Sequence, residues 1–159
     1  MKKTVTLLLL SLIINTCIAN TFYISPNGND NKGTGTISNP WQSLFQATRA
    51  VVRGGDIIHV LPGNYIESVR CTLAPGVSIE GEGAASIIQS TLTEQFVAII
   101  IATSAEGTNG NQHISNITLD GNNRTTSWAI EIRGRSNFSI HDCTIKNFEE
   151  TGIHWGGRS

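Results

Sequence analysis

Basic residues are scarce in this chain. The formal net charge is −1, and removal of Lys2 and Lys3 would take it to about −3. Lys32 and Lys146 are the only lysines that would remain. Nucleic acids and anionic membranes are both bound through basic surfaces, so neither is an expected partner.

Long apolar runs are missing after the first twenty residues. Two lysines precede the short apolar stretch Val5–Ile14, and small residues around Ala19 suit a cleavage site. The stretch is too short to span a bilayer. We therefore expect residues 1–19 to be a secretory signal and residues 20–159 to be exported as a monomer, extracellular or periplasmic, with no membrane span. Lipid attachment at Cys17 is the alternative.

Cysteine is too sparse for a disulfide framework. After signal cleavage only Cys71 and Cys143 remain, and an exported protein can join such a pair. Cys143 falls at an inward apolar position of an internal repeat, which favours a buried free thiol. The chain also lacks a phosphate-binding glycine loop, a metal-type Cys/His spacing and a Ser-His-Asp arrangement.

Helical periodicity is confined to one segment. Trp41–Val52 carries apolar residues at helical spacing. Ser38-Asn39-Pro40 predicts the start of this helix, and Gly54-Gly55 predicts its end. After Asp56 the sequence predicts short β-branched strands that end at Gly, Asn, Asp or Pro.

The chain does contain an internal repeat. Ile114–Asp120 returns as Ile140–Lys146, and Ala129–Gly134 is echoed by Gly152–Gly157. The two offsets are roughly 23–26 residues, a period that is typical of solenoid proteins.

Asparagine and aspartate stand at the corners of this repeat. Asn116 and Asp142 each separate two short strands, and both residue types tolerate left-handed backbone. Three short strands per turn would then stack in parallel on the next turn, about 4.8 Å away. The helix would cover the exposed first turn, as terminal caps do in solenoids. A helix that packs elsewhere is the alternative.

Three segments near the N-terminus resemble the N-terminal portion of secreted right-handed parallel β-helix (pectin-lyase-like) proteins, of the polysaccharide lyase family nine type. They are Tyr23–Asp30, Asn39–Leu44 and Gly55–Tyr65. The resemblance extends over nearly all of residues 20–159. It implies an all-β fold, with an entry strand, a loop and one N-terminal capping α-helix in residues 20–55 and a right-handed parallel β-helix of three short strands per turn in residues 56–159. It also implies a pectate-lyase-like enzyme that cleaves a pectin-like acidic polysaccharide by β-elimination, with Ca²⁺ as cofactor.

β-Elimination needs a base for the proton beside the sugar carboxylate and positive charge for the developing enolate. The resemblance implies a Lys or Arg as the base and clustered carboxylates around Ca²⁺. On this chain Lys146 is the candidate base, and Asp120 and Asp142 are the candidate metal ligands. The repeat register predicts that Asp120 and Lys146 are neighbours on an outer face, with Glu80 in the same column.

Arg133, His154 and Trp155 are the candidate substrate-binding residues. The register aligns Glu131 with His154, so these two and Arg133 are expected to form a second outer column. Trp155 and Trp128 can stack on sugar rings. Packing in the core or at an edge is the alternative for Trp155.

Three other functions are open at this stage. The chain could be a non-catalytic carbohydrate-binding or surface module. It could be a glycoside hydrolase with Glu80 and Asp120 about 5 Å apart, the separation of retaining enzymes. It could also be an inactive fragment of a longer β-helix, since Gly152–Ser159 offers no polar closing cap.

Overall fold

A computed structural model describes residues 18–157, so the predicted signal segment up to Cys17 lies outside the described residues. The described part is mostly β, with parallel sheets and one short α-helix. In chain order the elements are β1 (Thr21–Ile24), α1 (Leu44–Ala50), β2 (Ile57–Val60), β3 (Gly63–Glu67), β4 (Cys71–Thr72), β5 (Ser78–Gly81), a 3₁₀ turn (Gly83–Ala85), β6 (Ser86–Ser90), β7 (Ala98–Ser115), β8 (Thr118–Asp120), β9 (Trp128–His141), β10 (Thr144–Lys146) and β11 (Thr151–Gly156). No described helix is long and apolar enough to cross a membrane.

The strands form two parallel sheets. The larger sheet has the order β1-β2-β5-β7-β9-β11, with β4 also paired to β7, and the smaller sheet has the order β3-β6-β8-β10. Parallel strands need a crossover connection. From β5 onward the chain makes it by alternating between the larger and the smaller sheet, whereas α1 connects β1 to β2. The predicted parallel pairing is confirmed, but β7 and β9 are continuous strands of 18 and 14 residues and not short strands.

The internal repeat sets the register between strands. Ile114 pairs with Ile140 in the larger sheet, and Leu119 pairs with Ile145 in the smaller one. Apolar side chains from both sheets and from α1 join in one buried cluster, in which Ile79, Ile88 and Leu119 are fully buried. Burial of each such side chain contributes about 1.5–3 kcal/mol.

The predicted corners are confirmed. Asn116 and Asp142 both have a φ of 55°, in the left-handed region. Each lies between two strands of the repeat, at the point where the chain leaves the larger sheet for the smaller one. Short polar side chains adopt this backbone at lower cost than other residues with a Cβ, so the corner chemistry was readable from the sequence.

The helix is shorter than predicted and begins later. Its side-chain cap is Ser43, whose hydroxyl accepts a hydrogen bond from the amide of Gln46 at 3.0 Å. Trp41 was predicted to be helical, but its amide donates to the carbonyl oxygen of Tyr23 and its carbonyl oxygen accepts from the amide of Ser25. The predicted start at Ser38-Asn39-Pro40 is therefore wrong because the strand partner takes the backbone groups that a helix would use.

Helix α1 lies at the end of both sheets. It contacts β1 and β3, which are the edge strands of the larger and the smaller sheet. The amide of Leu44 donates to the carboxyl group of Glu67 at the end of β3, over 2.6 Å. Asp30 accepts from the amides of Gln42 and Ser43. The helix thus packs against the edge strand of each sheet and also against β4.

Both described cysteines are free thiols. Cys71 is fully buried, and burial raises the pKa of its thiol well above the ordinary value. Cys143 is half-buried rather than buried, as β10 is the edge strand beside it. The expected free thiol at Cys143 is confirmed, while its full burial is not.

The predicted position of Glu80 is wrong. Its strand, β5, belongs to the larger sheet, where Glu80 pairs with His59 and Ser115. Gln89 is the residue that pairs with Asp120 in the smaller sheet. The error arose from the frame of the strands before the clear repeat, where an additional strand and a 3₁₀ turn intervene. Glu80 and Asp120, the two carboxylates that the hydrolase alternative requires, are therefore not paired in register.

Candidate functional site

An irregularity between β7 and β9 opens a cavity on the surface of the larger sheet. Thr103 pairs with Arg133 and Thr108 pairs with Arg135, so β7 holds three more residues than β9 over this interval. Such a bulge bends the strand out of the ladder. The extra segment forms one wall of a cavity of about 490 Å³, a volume within the usual range of small-ligand sites.

The floor of the cavity comes from β9 and β11. His154 lies opposite Glu131 and Gly156 lies opposite Arg133 in the ladder. Gly156 carries no side chain, and a Cβ at this position would come within 3.4 Å of Cγ of Arg133. The glycine therefore gives the long side chain of Arg133 a flat surface beside the cavity.

An ion pair orients the cationic group at this site. Nε of Arg133 donates to Oε1 of Glu131 over 2.7 Å. The Arg133 side chain is half-exposed, whereas Glu131 is largely covered. The pair adds little stability at such exposure, about 0–1 kcal/mol, but it fixes a guanidinium group that carries four further N–H donors.

His154 is held by an aromatic stack. Its ring lies 4.1 Å from the ring of Trp128, with an angle of 23° between the planes. Nε1 of Trp128 donates to Glu150 at 3.1 Å, which anchors the indole in turn. Trp128 is buried under this stack, so it serves as a support for His154 and its face is not open to a sugar ring.

Trp155 does not line the cavity that contains Arg133 and His154. It pairs with the buried residue Ile132 and points to the opposite side of β11 from its neighbour His154, as alternate residues of a strand do. The Trp155 side chain is 59% exposed because β11 is the edge strand of its sheet. The structure thus brings two of the three candidate binding residues together.

Asp120 and Lys146 are neighbours, as predicted. They pair in the register of β8 and β10, and Nζ of Lys146 lies 3.5 Å from Oδ2 of Asp120. Burial would raise the pKa of Asp120, but donors from Asn122, Asn147 and Lys146 outweigh it and lower that pKa. This pair belongs to the smaller sheet, whereas Arg133 and His154 belong to the larger one.

The proposed calcium ligands are already engaged with the protein. Oδ1 of Asp120 accepts from Asn122 and Asn147, and its second oxygen faces Lys146. Asp142 is bonded to its neighbour His141 at 2.8 Å and is 71% exposed. Among residues 18–157, no group of three His, Cys, Asp or Glu side chains is placed to hold a metal ion. Asp120 and Asp142 do not fit a calcium site in this arrangement, and their metal role stays a prediction.

The sequence did not point to two parts of the surface. Ser104 and Glu106 line the cavity, but they lie in a polar bulge without a motif. The only trace of it in the sequence is that β7 is longer than its repeat counterpart. A second set of polar contacts joins His113 to Glu80 at 2.7 Å and places the ring of His141 5.8 Å from that of His113.

The chain matched no protein-family model, no curated protein and no solved structure. The geometry of the cavity and the chemistry of its side chains are therefore the basis on which a function is proposed.

Proposed function

We propose that this protein is a right-handed parallel β-helix that binds an acidic polysaccharide at the cavity lined by Arg133 and His154. The fold part of the proposal is supported by strands β7 to β11, which alternate between the two sheets and stack in parallel on their repeat counterparts. Connections between parallel strands are right-handed in nearly all proteins. Helix α1 is the cap at the first turn.

The juxtaposition of Arg133 and His154 in one open cavity carries the functional part. A guanidinium group binds carboxylates through two parallel hydrogen bonds, and uronate sugars present one carboxylate per ring. Hydroxyl side chains of Thr103 and Ser104 line the same cavity and suit the sugar hydroxyls. Glu106 also lines the cavity and Glu131 pairs with Arg133, so binding of a uronate carboxylate depends on the guanidinium donors that the bond to Glu131 does not use.

β-Elimination at this cavity is the second candidate function, favoured by the position of His154 beside Arg133. His154 would remove the proton next to the sugar carboxylate, while Arg133 neutralises the carboxylate as charge develops on it. The electron pair then forms the carbon–carbon double bond, and the glycosidic C–O bond breaks. The departing oxygen takes a proton from solvent, which completes an elimination without an added oxidant or reductant.

One experiment separates binding from cleavage. The exported protein is titrated with polygalacturonate, with and without added Ca²⁺, and both retention on the polymer and the absorbance of an unsaturated uronate product are recorded. Retention without product identifies a binding module, and product identifies a lyase. The proposal is overturned if the protein shows neither retention nor product, both with and without Ca²⁺.

A matched pair of variants locates the binding site. We expect Arg133→Ala to weaken polymer binding about tenfold or more, because a charge-assisted hydrogen bond contributes about 1.5–3 kcal/mol. Arg124→Ala removes the same charge from an exposed loop away from this cavity and should bind like the parent. Equal losses in both variants would mean that only net charge matters.

A further inference from the structure

A second cavity lies between α1 and the larger sheet. Its volume is about 390 Å³, and its polar lining consists of Thr48, Arg49, Thr72, Thr103 and Arg135. It contains two arginines and no acidic residue. A cavity with this lining suits an oxyanion, because guanidinium and hydroxyl groups donate hydrogen bonds to its oxygens.

Arg135 is the buried cation of this cavity, with 6% of its surface exposed. Its guanidinium group donates to the carbonyl oxygens of Leu73 and Thr103, at 2.7 and 3.2 Å, and to the side chains of Ser104 and Gln112, at 2.8 and 3.1 Å. All four acceptors are neutral. Within residues 18–157, no carboxylate forms an ion pair with Arg135.

The hydrogen bonds of Arg135 use four of its five N–H donors and leave its charge uncompensated. A buried charge without a partner is costly, and a guanidinium group does not lose its proton to relieve that cost. Arg135 is held by Leu73, which follows β4, and by three residues of β7, so the charge lies at the cavity wall. A bound anion would supply the missing opposite charge.

Arg49 stands at the mouth of the same cavity. Its guanidinium carbon lies 5.4 Å from the centroid of the Phe45 ring, which restricts the side chain to one side of α1. The residue is exposed, and within residues 18–157 it has no carboxylate in an ion pair. Arg49 is thus the exposed cation of the cavity, and Arg135 is its buried cation.

We propose that the cavity between Arg49 and Arg135 is a binding site for an oxyanion, a carboxylate or a sulfate group, distinct from the polysaccharide cavity at Arg133. Hydroxyl groups of Thr72 and Thr103 at the wall would donate to the remaining oxygens of the anion. The two cavities meet at Thr103, which lines both. A carboxylate on a sugar and a free inorganic oxyanion share this chemistry.

The test measures the thermal midpoint of the full protein against rising sulfate, with chloride at the same ionic strength as reference. A second titration uses monomeric galacturonate. We expect a saturable rise in the midpoint with at least one of the two ligands, because a ligand that binds only the folded state stabilises it. Sulfate alone would indicate an inorganic oxyanion as the occupant, and galacturonate would indicate a sugar carboxylate.

Variants separate this site from general salt effects. Arg49→Gln, at the exposed mouth, should keep the fold and weaken the apparent affinity by about tenfold, as expected for the loss of one charge-assisted contact. Arg124→Gln should respond like the parent. Arg135→Gln can also lower stability, so its midpoint is compared only across the anion titration.

The proposal is overturned if sulfate and galacturonate act no differently from chloride, or if Arg49→Gln keeps the full saturable response. Sulfate also stabilises proteins by exclusion from their surface, but that effect is not saturable and would be the same in every variant. A sugar carboxylate or a sulfate also suits Arg133, so a response is assigned to this cavity only if Arg49→Gln loses it while Arg133→Ala keeps it, and the two proposals can then fail separately.

Discussion

Glu67 should make the stability of this protein depend on pH. Its carboxyl group is 2% exposed and accepts the amide of Leu44 at the start of α1. Burial raises the pKa of Glu67 from 4.5 to about 7, against the lowering effect of hydrogen bonds from the amides of Leu44 and Phe45. The charge of Asp30 adds to the rise, and Cys71 is the other titratable group in contact.

The sign follows from the protons bound in each state. Between pH 4.5 and about 7 the folded protein keeps a proton on Glu67 that the unfolded chain releases. The free energy of unfolding therefore falls as the pH rises through this window. With about 1.4 kcal/mol for each pH unit between the two pKa values, the loss amounts to about 3 kcal/mol by pH 8.

Glu67→Gln tests this assignment because the amide oxygen of glutamine can still accept the bond from Leu44. Urea unfolding of parent and variant is measured at several pH values from about 4 to about 8. The difference in unfolding free energy should shift by about 3 kcal/mol in favour of the variant across this range. Glu94→Gln, at an exposed position, should follow the parent. A constant difference between parent and Glu67→Gln at all pH values would refute the reasoning.

Three other changes should affect stability in the order of burial and strain, each measured by urea unfolding. Asn116→Ala should lower the unfolding free energy by about 1–2 kcal/mol because of its φ of 55°, and Asn116→Gly should restore most of it. Ile130→Ala, at a fully buried position, should lower it by about 2–5 kcal/mol, and the exposed Ile153→Ala by clearly less. Lys146→Ala should change the unfolding free energy by less than about 1 kcal/mol, since the Lys146 side chain that pairs with Asp120 is half-exposed. A larger loss would show that this ion pair stabilises the fold.

The repeat was the part of the fold that the sequence predicted best. Its apolar positions and its Asn116 and Asp142 corners follow local rules of burial and backbone preference, and the structure has the same register. The start of the helix was predicted less well. Trp41 has helical spacing but pairs with the first strand, and a contact between distant segments overrides a local preference.

The candidate site was predictable only where it lay on the repeat. Glu131 and His154 align in sequence and are paired in the structure. The wall of the cavity comes from a bulge whose length has no local signature, and the buried charge of Arg135 depends on carbonyl groups far along the chain. Glu80 was placed in the wrong sheet because the spacing of the repeat does not determine the order of the strands that precede it.

The lengths of two loops explain how His154 reaches the cavity. The repeat offset is 26 residues where β10 pairs with β8, but 23 residues where β11 pairs with β9. The difference arises because the loop from 147 to 150 is three residues shorter than the loop from 121 to 127. At a constant offset of 26, Gly157 rather than His154 would lie opposite Glu131, and the cavity would lack its imidazole group. Glu150 in the short loop accepts a hydrogen bond from the indole of Trp128, so this loop both sets the register of His154 and supports the ring on which His154 stacks.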